Sequence, residues 1–185
     1  MNLKSFIIKN IIAPHGITDL SHSLQNNLYP KLLTLNLVTF GSSEIISNIF
    51  NANYLVDILF FASTVFHFRN DFKMIKINKL EIPPIVSSSL FVSFCTFFDK
   101  IAFLELGSDI LVIFMTLIHV PNHYKNSEKI INKDPLLFFI IMMFTLSFIN
   151  SVTTLHPNLI LNNDFGNLIK SIIVTHIIYS EDIEK

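Results

Sequence analysis

PLLFFIIMMFTLSFINSVTTL, residues 135–155, contains no charged residue and opens on a proline. As a helix rising about 1.5 Å per residue, it covers roughly 30 Å, the thickness of a hydrocarbon core. A barrel strand would need a short segment in which apolar and polar residues alternate, whereas this run is continuous. Working outward, comparable apolar stretches cover residues 31–50, 54–73, 83–107, 108–124 and 159–179, with a shorter one at 3–13 ended by Pro14-His15-Gly16. The expected fold is all-α, a polytopic membrane protein of six to seven transmembrane helices. Nothing resembling a repeat, linker or low-complexity segment divides it, so residues 1–185 are expected to form a single integral membrane domain.

Composition agrees with that expectation. Hydrophobic residues make up 51% of the chain and charged residues 15%, against about 25% charged in an ordinary soluble domain. The net charge of −1 leaves no basic face for a nucleic acid. Cys95 is the lone cysteine and sits in an apolar run, so neither a disulfide framework nor a thiolate metal site is expected. Residues 1–12 are apolar, with Lys4 and Lys9, and no small-residue cleavage site follows them. That segment reads as retained.

The connections alternate in charge. Residues 51–53, 105–109 and 156–158 carry no Lys or Arg, whereas Arg69, Lys73, Lys76 and Lys79 fill one loop and Lys125, Lys129 and Lys133 the next. Lys31 opens its stretch on that same basic side. Cytoplasmic loops are enriched in Lys and Arg, so the basic loops are expected to face the cytoplasm.

This map carries six of the seven histidines, His15, His22, His67, His119, His123 and His176, to the cytoplasmic ends of the helices; His156 falls at the other end. An imidazole at the edge of a hydrocarbon slab is costly without a partner, a proton or a metal. Three local spacings suit such a site. His15, Asp19 and His22 stand at i, i+4 and i+7, and His67 and Asp71 at i, i+4, which are spacings that share a helix face. His119-Val-Pro-Asn-His123 puts two imidazoles at the i, i+4 spacing of helical metal sites, with Pro121 disturbing the helix between them. Plainer readings of these segments are a helix cap at Thr18 or Asp19 and an interfacial ion pair of Arg69 with Asp71.

There is no HExxH, no glycine elbow around a serine, no phosphate-cradling loop and no dinucleotide fingerprint. Imidazole suits zinc and iron alike. A histidine-rich, carboxylate-poor site in a membrane favours Fe2+ and O2 chemistry on a lipid-soluble substrate.

Pro14-His15-Gly16-Ile17-Thr18-Asp19, followed by Phe66-His67-Phe68, resembles the Pro-His-Gly-x-x-Asp and His-Phe elements of the Brp/Blh family of β-carotene 15,15′-dioxygenases. Pro83-Pro84 ahead of a Phe-rich apolar helix is similar to a Pro-Pro helix of that family. The resemblance implies that His15 and His67 ligate iron and that His119 and His123 correspond to a later HxxxH pair. It implies oxidative cleavage of the central double bond of β-carotene, giving two molecules of retinal.

The expected function is thus a membrane-embedded non-haem iron dioxygenase acting on β-carotene or a related carotenoid or isoprenoid. Its expected metal ligands are His15, His67, His119 and His123, with Asp19 and Asp71 as site carboxylates orienting the imidazoles and His22 and His176 in reserve. Phe60, Phe61, Phe91, Phe94 and Phe114 are expected along an apolar substrate tunnel. The alternative is a non-catalytic multi-pass protein, a degenerate relative, scaffold or small transporter, whose interfacial histidines serve packing or pH sensing.

Overall fold

The computed structural model describes residues 3–50, 52–72, 82–102, 106–155 and 163–183, and every element among them is helical. Helix α1 (Leu3–Ile7) continues through a π-helical turn (Ile8–Ile12) and a 3-10 turn (Ala13–Gly16) into α2 (Ile17–Gln25). Then follow α3 (Tyr29–Glu44) with a π turn (Ile45–Ile49), α4 (Asn53–Phe72) and α5 (Pro84–Ala102). Helix α6 (Leu106–Phe114) runs through a π turn (Met115–His119) into α7 (Val120–Asn126), ahead of α8 (Glu128–Lys133), α9 (Pro135–Leu155) and α10 (Asn163–Ile183).

Local chemistry sets several boundaries. Asp134 caps α9, its Oδ1 accepting from the Leu137 N–H at 2.9 Å, while Pro135 occupies the first turn, where no N–H is needed. Helix α2 ends on Asn27 in the left-handed region at φ 57°. There the Leu28 N–H reaches back to the Ser23 carbonyl at 2.7 Å, satisfying an otherwise orphaned acceptor. Pro14-His15-Gly16, expected to break the first stretch, does not break it. Pro14 lies in the first positions of a 3-10 turn, where it forfeits no required bond, and Gly16 keeps right-handed helical angles.

Helices α4 and α5 pair, α10 packs on α3 and α4, α5 on α6, and α2 on α9. Small hydroxyl side chains form the closest contacts. Ser43 meets Ser171 at 2.9 Å and Thr39 meets Thr175 at 2.8 Å between α3 and α10, while Ser88 donates to the Val65 carbonyl at 2.6 Å between α5 and α4. One apolar cluster joins α4, α5 and α6 through Val65, Phe68, Val92 and Phe114, with Phe61, Phe72 and Phe91 against it.

Polarity is arranged inside out. Thr18, Asp19, Ser21, Ser23, His67, Asp71, Ser88, His119, His123 and Thr175 are buried, whereas Leu33, Leu37, Ile58, Leu90, Leu117, Leu136 and Phe144 are exposed. Among the described residues one helix is long and apolar enough to cross a membrane, over Pro135–Val152 with mean hydropathy 2.0; the apolar part of α5, Pro84–Phe97, is shorter. Helices α3 and α6 are also shorter, at 16 and 9 residues, while the longer α4 carries Asp57, Arg69 and Asp71 and α10 carries Lys170, Glu181 and Asp182. Lys73, Lys76, Lys79, Glu105, His156 and residues 157–158 lie outside the described residues, so the charge alternation of the loops is seen only in part.

Candidate metal centre

Five imidazoles meet where α2, α4, the α6–α7 helix and α10 come together. His15 comes from the 3-10 turn, His67 from α4, His119 from the π turn, His123 from α7 and His176 from α10. The wide turn at 115–119 relieves the clash between the Pro121 ring and the carbonyl four residues before it. His119 and His123 remain on one side of that helix despite the proline, with ring centroids 6.2 Å apart. Gly16 lies directly against the fifth ring: a Cβ there would stand 3.4 Å from His176 Nδ1, at van der Waals contact.

Four of the five rings are tied through Nδ1. His119 Nδ1 donates to Asp71 Oδ2 at 2.7 Å, and His176 Nδ1 donates to Asp19 Oδ2 at 2.7 Å. His123 Nδ1 donates to the Thr18 hydroxyl at 3.3 Å, and that hydroxyl donates onward to the His15 carbonyl at 3.3 Å. His15 Nδ1 bonds the Ile12 carbonyl. A carboxylate or a carbonyl only accepts, so Nδ1 carries a proton, and in the neutral ring it is Nε2 that presents the lone pair. Asn122 holds the other oxygen of Asp71, Oδ1, at 3.1 Å.

The Nε2 atoms of His15, His67, His119, His123 and His176 are all buried and all without a hydrogen-bond partner. Buried polar atoms are ordinarily paired, and leaving one unsatisfied costs about 1–3 kcal/mol. Five unpartnered ring nitrogens in one cluster are an arrangement that a cation could satisfy. Ring nitrogens of His15, His119 and His176 lie within 4.8 Å of one another. Metal–nitrogen bonds near 2.1 Å would put the centroids of two rings on one ion about 4.6 Å apart at right angles and about 6.5 Å apart when opposite. The His15–His176, His67–His119, His123–His176, His15–His119, His67–His176 and His15–His123 centroids are separated by 4.7, 4.9, 5.0, 5.2, 5.3 and 5.4 Å. These six separations are compatible with a shared ion; His119 and His123 stand farther apart at 6.2 Å, and ligand atoms of Asp19, His123 and His176 also lie within 4.8 Å of one another. Burial, followed by the neighbouring His176 and His119, holds the His15 imidazole well below its usual pKa, which keeps it neutral and able to ligate.

The structure therefore brings His15, His67, His119 and His123 together, as the expected ligand set requires, and adds His176, which had been held in reserve. Asp19 and Asp71 both orient imidazoles, but not their i, i+4 neighbours: Asp19 serves His176 rather than His15, and Asp71 serves His119 rather than His67. His22 stands aside, its Nδ1 bonded to the hydroxyl of the buried Tyr179 at 3.2 Å. Thr18 and Asn122 also belong to the site, and no local spacing marks them.

The aromatic residues are arranged differently from the tunnel expected of them. Phe61, Phe91 and Phe114 pack into the apolar cluster, Phe60 is half-buried and Phe94 faces outward. Phe68 joins that cluster to the site, its ring centroid 4.9 Å from that of His119. A recess reaching the histidines is polar, lined by His67, Asn70, Asp71, His119, Asn122, His123 and Asn126.

Fold and site together define an all-helical protein with a buried histidine–carboxylate cluster able to hold a metal ion. No protein-family model, curated protein or solved structure matches the chain.

Proposed function

We propose that this chain is a multi-pass membrane metalloprotein, with Fe2+ at the five-histidine centre, that cleaves β-carotene or a related carotenoid with O2. The observation that carries this reading is the set of five buried Nε2 lone pairs, four of them on rings fixed through Nδ1. A donor set of imidazoles, with its carboxylates bonded to Nδ1 atoms, suits a redox-active divalent ion. The motifs at 14–19 and 66–68, on which the family resemblance rests, contribute His15, Thr18, Asp19 and His67 to that same cluster. The apolar exterior and hydroxyl-lined helix contacts would suit helices packed in lipid, and the Lys and Arg of the loops favour a cytoplasmic position for the cluster.

Bound iron would make O2 reactive toward a polyene. The protein's own residues do the rest. Asp19, Asp71, Thr18 and the Ile12 carbonyl hold the imidazoles in one tautomer, and burial excludes competing water. Phe68 provides an apolar wall beside His119. In the overall reaction one C=C bond breaks, each carbon takes one oxygen atom from O2, and β-carotene gives two molecules of retinal. Expression in β-carotene-producing cells tests this, with retinal measured beside the metal content of the purified protein. Colour loss with retinal formation and bound iron is expected; unchanged carotenoid would overturn the activity.

The polar recess favours a second reading, in which the same cluster binds a cation without oxygen chemistry, as in a scaffold or small transporter. Retained metal with unchanged carotenoid would favour it.

A further inference from the structure

We propose that the recess lined by Asn70, Asn122 and Asn126 is the port through which a divalent cation passes from water to the histidine cluster. The inference rests on the reading that the cluster holds a metal ion. Its two walls are helix faces. On the α6–α7 helix, His119, Asn122 and Asn126 follow one another at spacings of three and four residues, and on α4, His67 is followed at the same spacings by Asn70 and Asp71. Residues so spaced share a face, so each wall runs continuously from an amide to a candidate ligand. Burial deepens along it: Asn126 is exposed, Asn70 and Asn122 are half-buried, and Asp71, His119, His123 and His67 are 6%, 4%, 5% and 8% exposed.

The chemistry of the lining suits passage rather than storage. Amide oxygens can replace water around a hard or borderline cation, and being neutral they do not trap it. Asp71 supplies the attraction at the floor of the recess. Among the described residues it pairs with no Lys or Arg. Arg69, its nearest cation in sequence, is held by Glu181 at 2.9 Å and lies over the Phe66 ring. Asn122 holds Asp71 Oδ1, so the last amide of the wall touches the carboxylate that orients His119. His67, at the mouth of the cluster, is the one ring of the five whose Nδ1 has no partner among the described residues, and it is therefore the ring freest to turn as an ion arrives.

The test uses metal-stripped, full-length protein in lipid nanodiscs, with Co2+ as the probe and its visible absorption as the signal of imidazole ligation. Uptake is followed by rapid mixing for the unmodified protein, for Asn70→Leu, and for Asn126→Cys before and after reaction with a bulky thiol reagent. Unmodified protein treated with the same reagent controls for the buried Cys95. Slower uptake by Asn70→Leu and by blocked Asn126→Cys is expected, on the order of tenfold, as a barrier raised by about 1.36 kcal/mol would give. Final stoichiometry and affinity in chelator competition should be unchanged, and reductive removal of the block should restore the rate. Uptake at the unmodified rate by both variants would overturn the port while leaving the metal centre standing. If the unmodified protein takes up no Co2+ at all, the metal reading fails and the port with it.

Discussion

Two polar clusters lie within this apolar bundle, and they leave their polar atoms in opposite states. Where α3 meets α10, Asn167 donates to Glu44 and to Ser47 at 3.3 Å each, Asn48 holds the other Glu44 oxygen at 2.6 Å, and Ser43 meets Ser171 at 2.9 Å. Ser47 in turn bonds Asn53, and at the rim Lys170 pairs with Asp57 at 2.6 Å. None of these atoms is among the buried, unpartnered ones. In the histidine cluster four of the five Nδ1 atoms are tied, yet every Nε2 is left over. The first cluster joins helices by hydrogen bonds that are complete in themselves. The second leaves five buried Nε2 atoms without partners, atoms that a cation could satisfy. The difference lies in unsatisfied atoms rather than in polarity, and it assigns packing to one cluster and ligand binding to the other.

The sharpest way to break this contrast is to remove one group from each cluster. His176→Ala should cost metal affinity by more than the roughly 100-fold upper range for losing a ligand's hydrogen-bond partner. Asn167→Leu should leave affinity unchanged but destabilise the fold by about 1–3 kcal/mol, because Glu44 and Ser47 lose a buried donor. Metal content with chelator competition, and chemical unfolding, read the two effects. If His176→Ala binds metal with undiminished affinity, or if Asn167→Leu loses it, the two clusters do not have the separate roles drawn here.

Smaller changes probe how the imidazoles are held. Asp71→Asn and Asp19→Asn keep the size of the side chain while removing the charge that fixes the His119 and His176 tautomers, so each should weaken metal affinity by about 10–100-fold. An effect of Asp19→Asn that persists unchanged in a His176→Ala background would place Asp19 outside the centre. Thr18→Val should have the smallest effect, since it removes one hydrogen bond worth about 0.5–1.5 kcal/mol, a few-fold to roughly tenfold change in affinity. The same competition titration resolves it.

Much of the helical layout is legible in the apolar runs, because a run such as 135–155 has no alternative to a helix. Pro135 and Pro84 sit at the first positions of α9 and α5, where prolines are at home. The π turns are not legible. The turn at 115–119 answers to Pro121 and to the packing of His119 together, which one-dimensional spacing does not encode. The gathering of His15, His67, His119 and His123 follows from their places at the same ends of their segments. Which carboxylate serves which imidazole does not follow. Asp19 and His176 are 157 residues apart in sequence, and a tertiary partner that meets Nδ1 head-on displaces the local i, i+4 neighbour. His15 shows why: in its tight turn the Ile12 carbonyl already takes the Nδ1 proton, so Asp19 is left for another ring.

The central claim is that five imidazoles, and no carboxylate, surround one metal ion. X-ray absorption at the metal edge of the purified, reconstituted protein tests it most directly. A first shell of nitrogen near 2.1 Å with the multiple-scattering signature of four to five imidazoles is expected, reduced by one ring in His176→Ala. A shell built of carboxylate oxygen, or a protein that retains no divalent metal under any loading condition, would contradict the account.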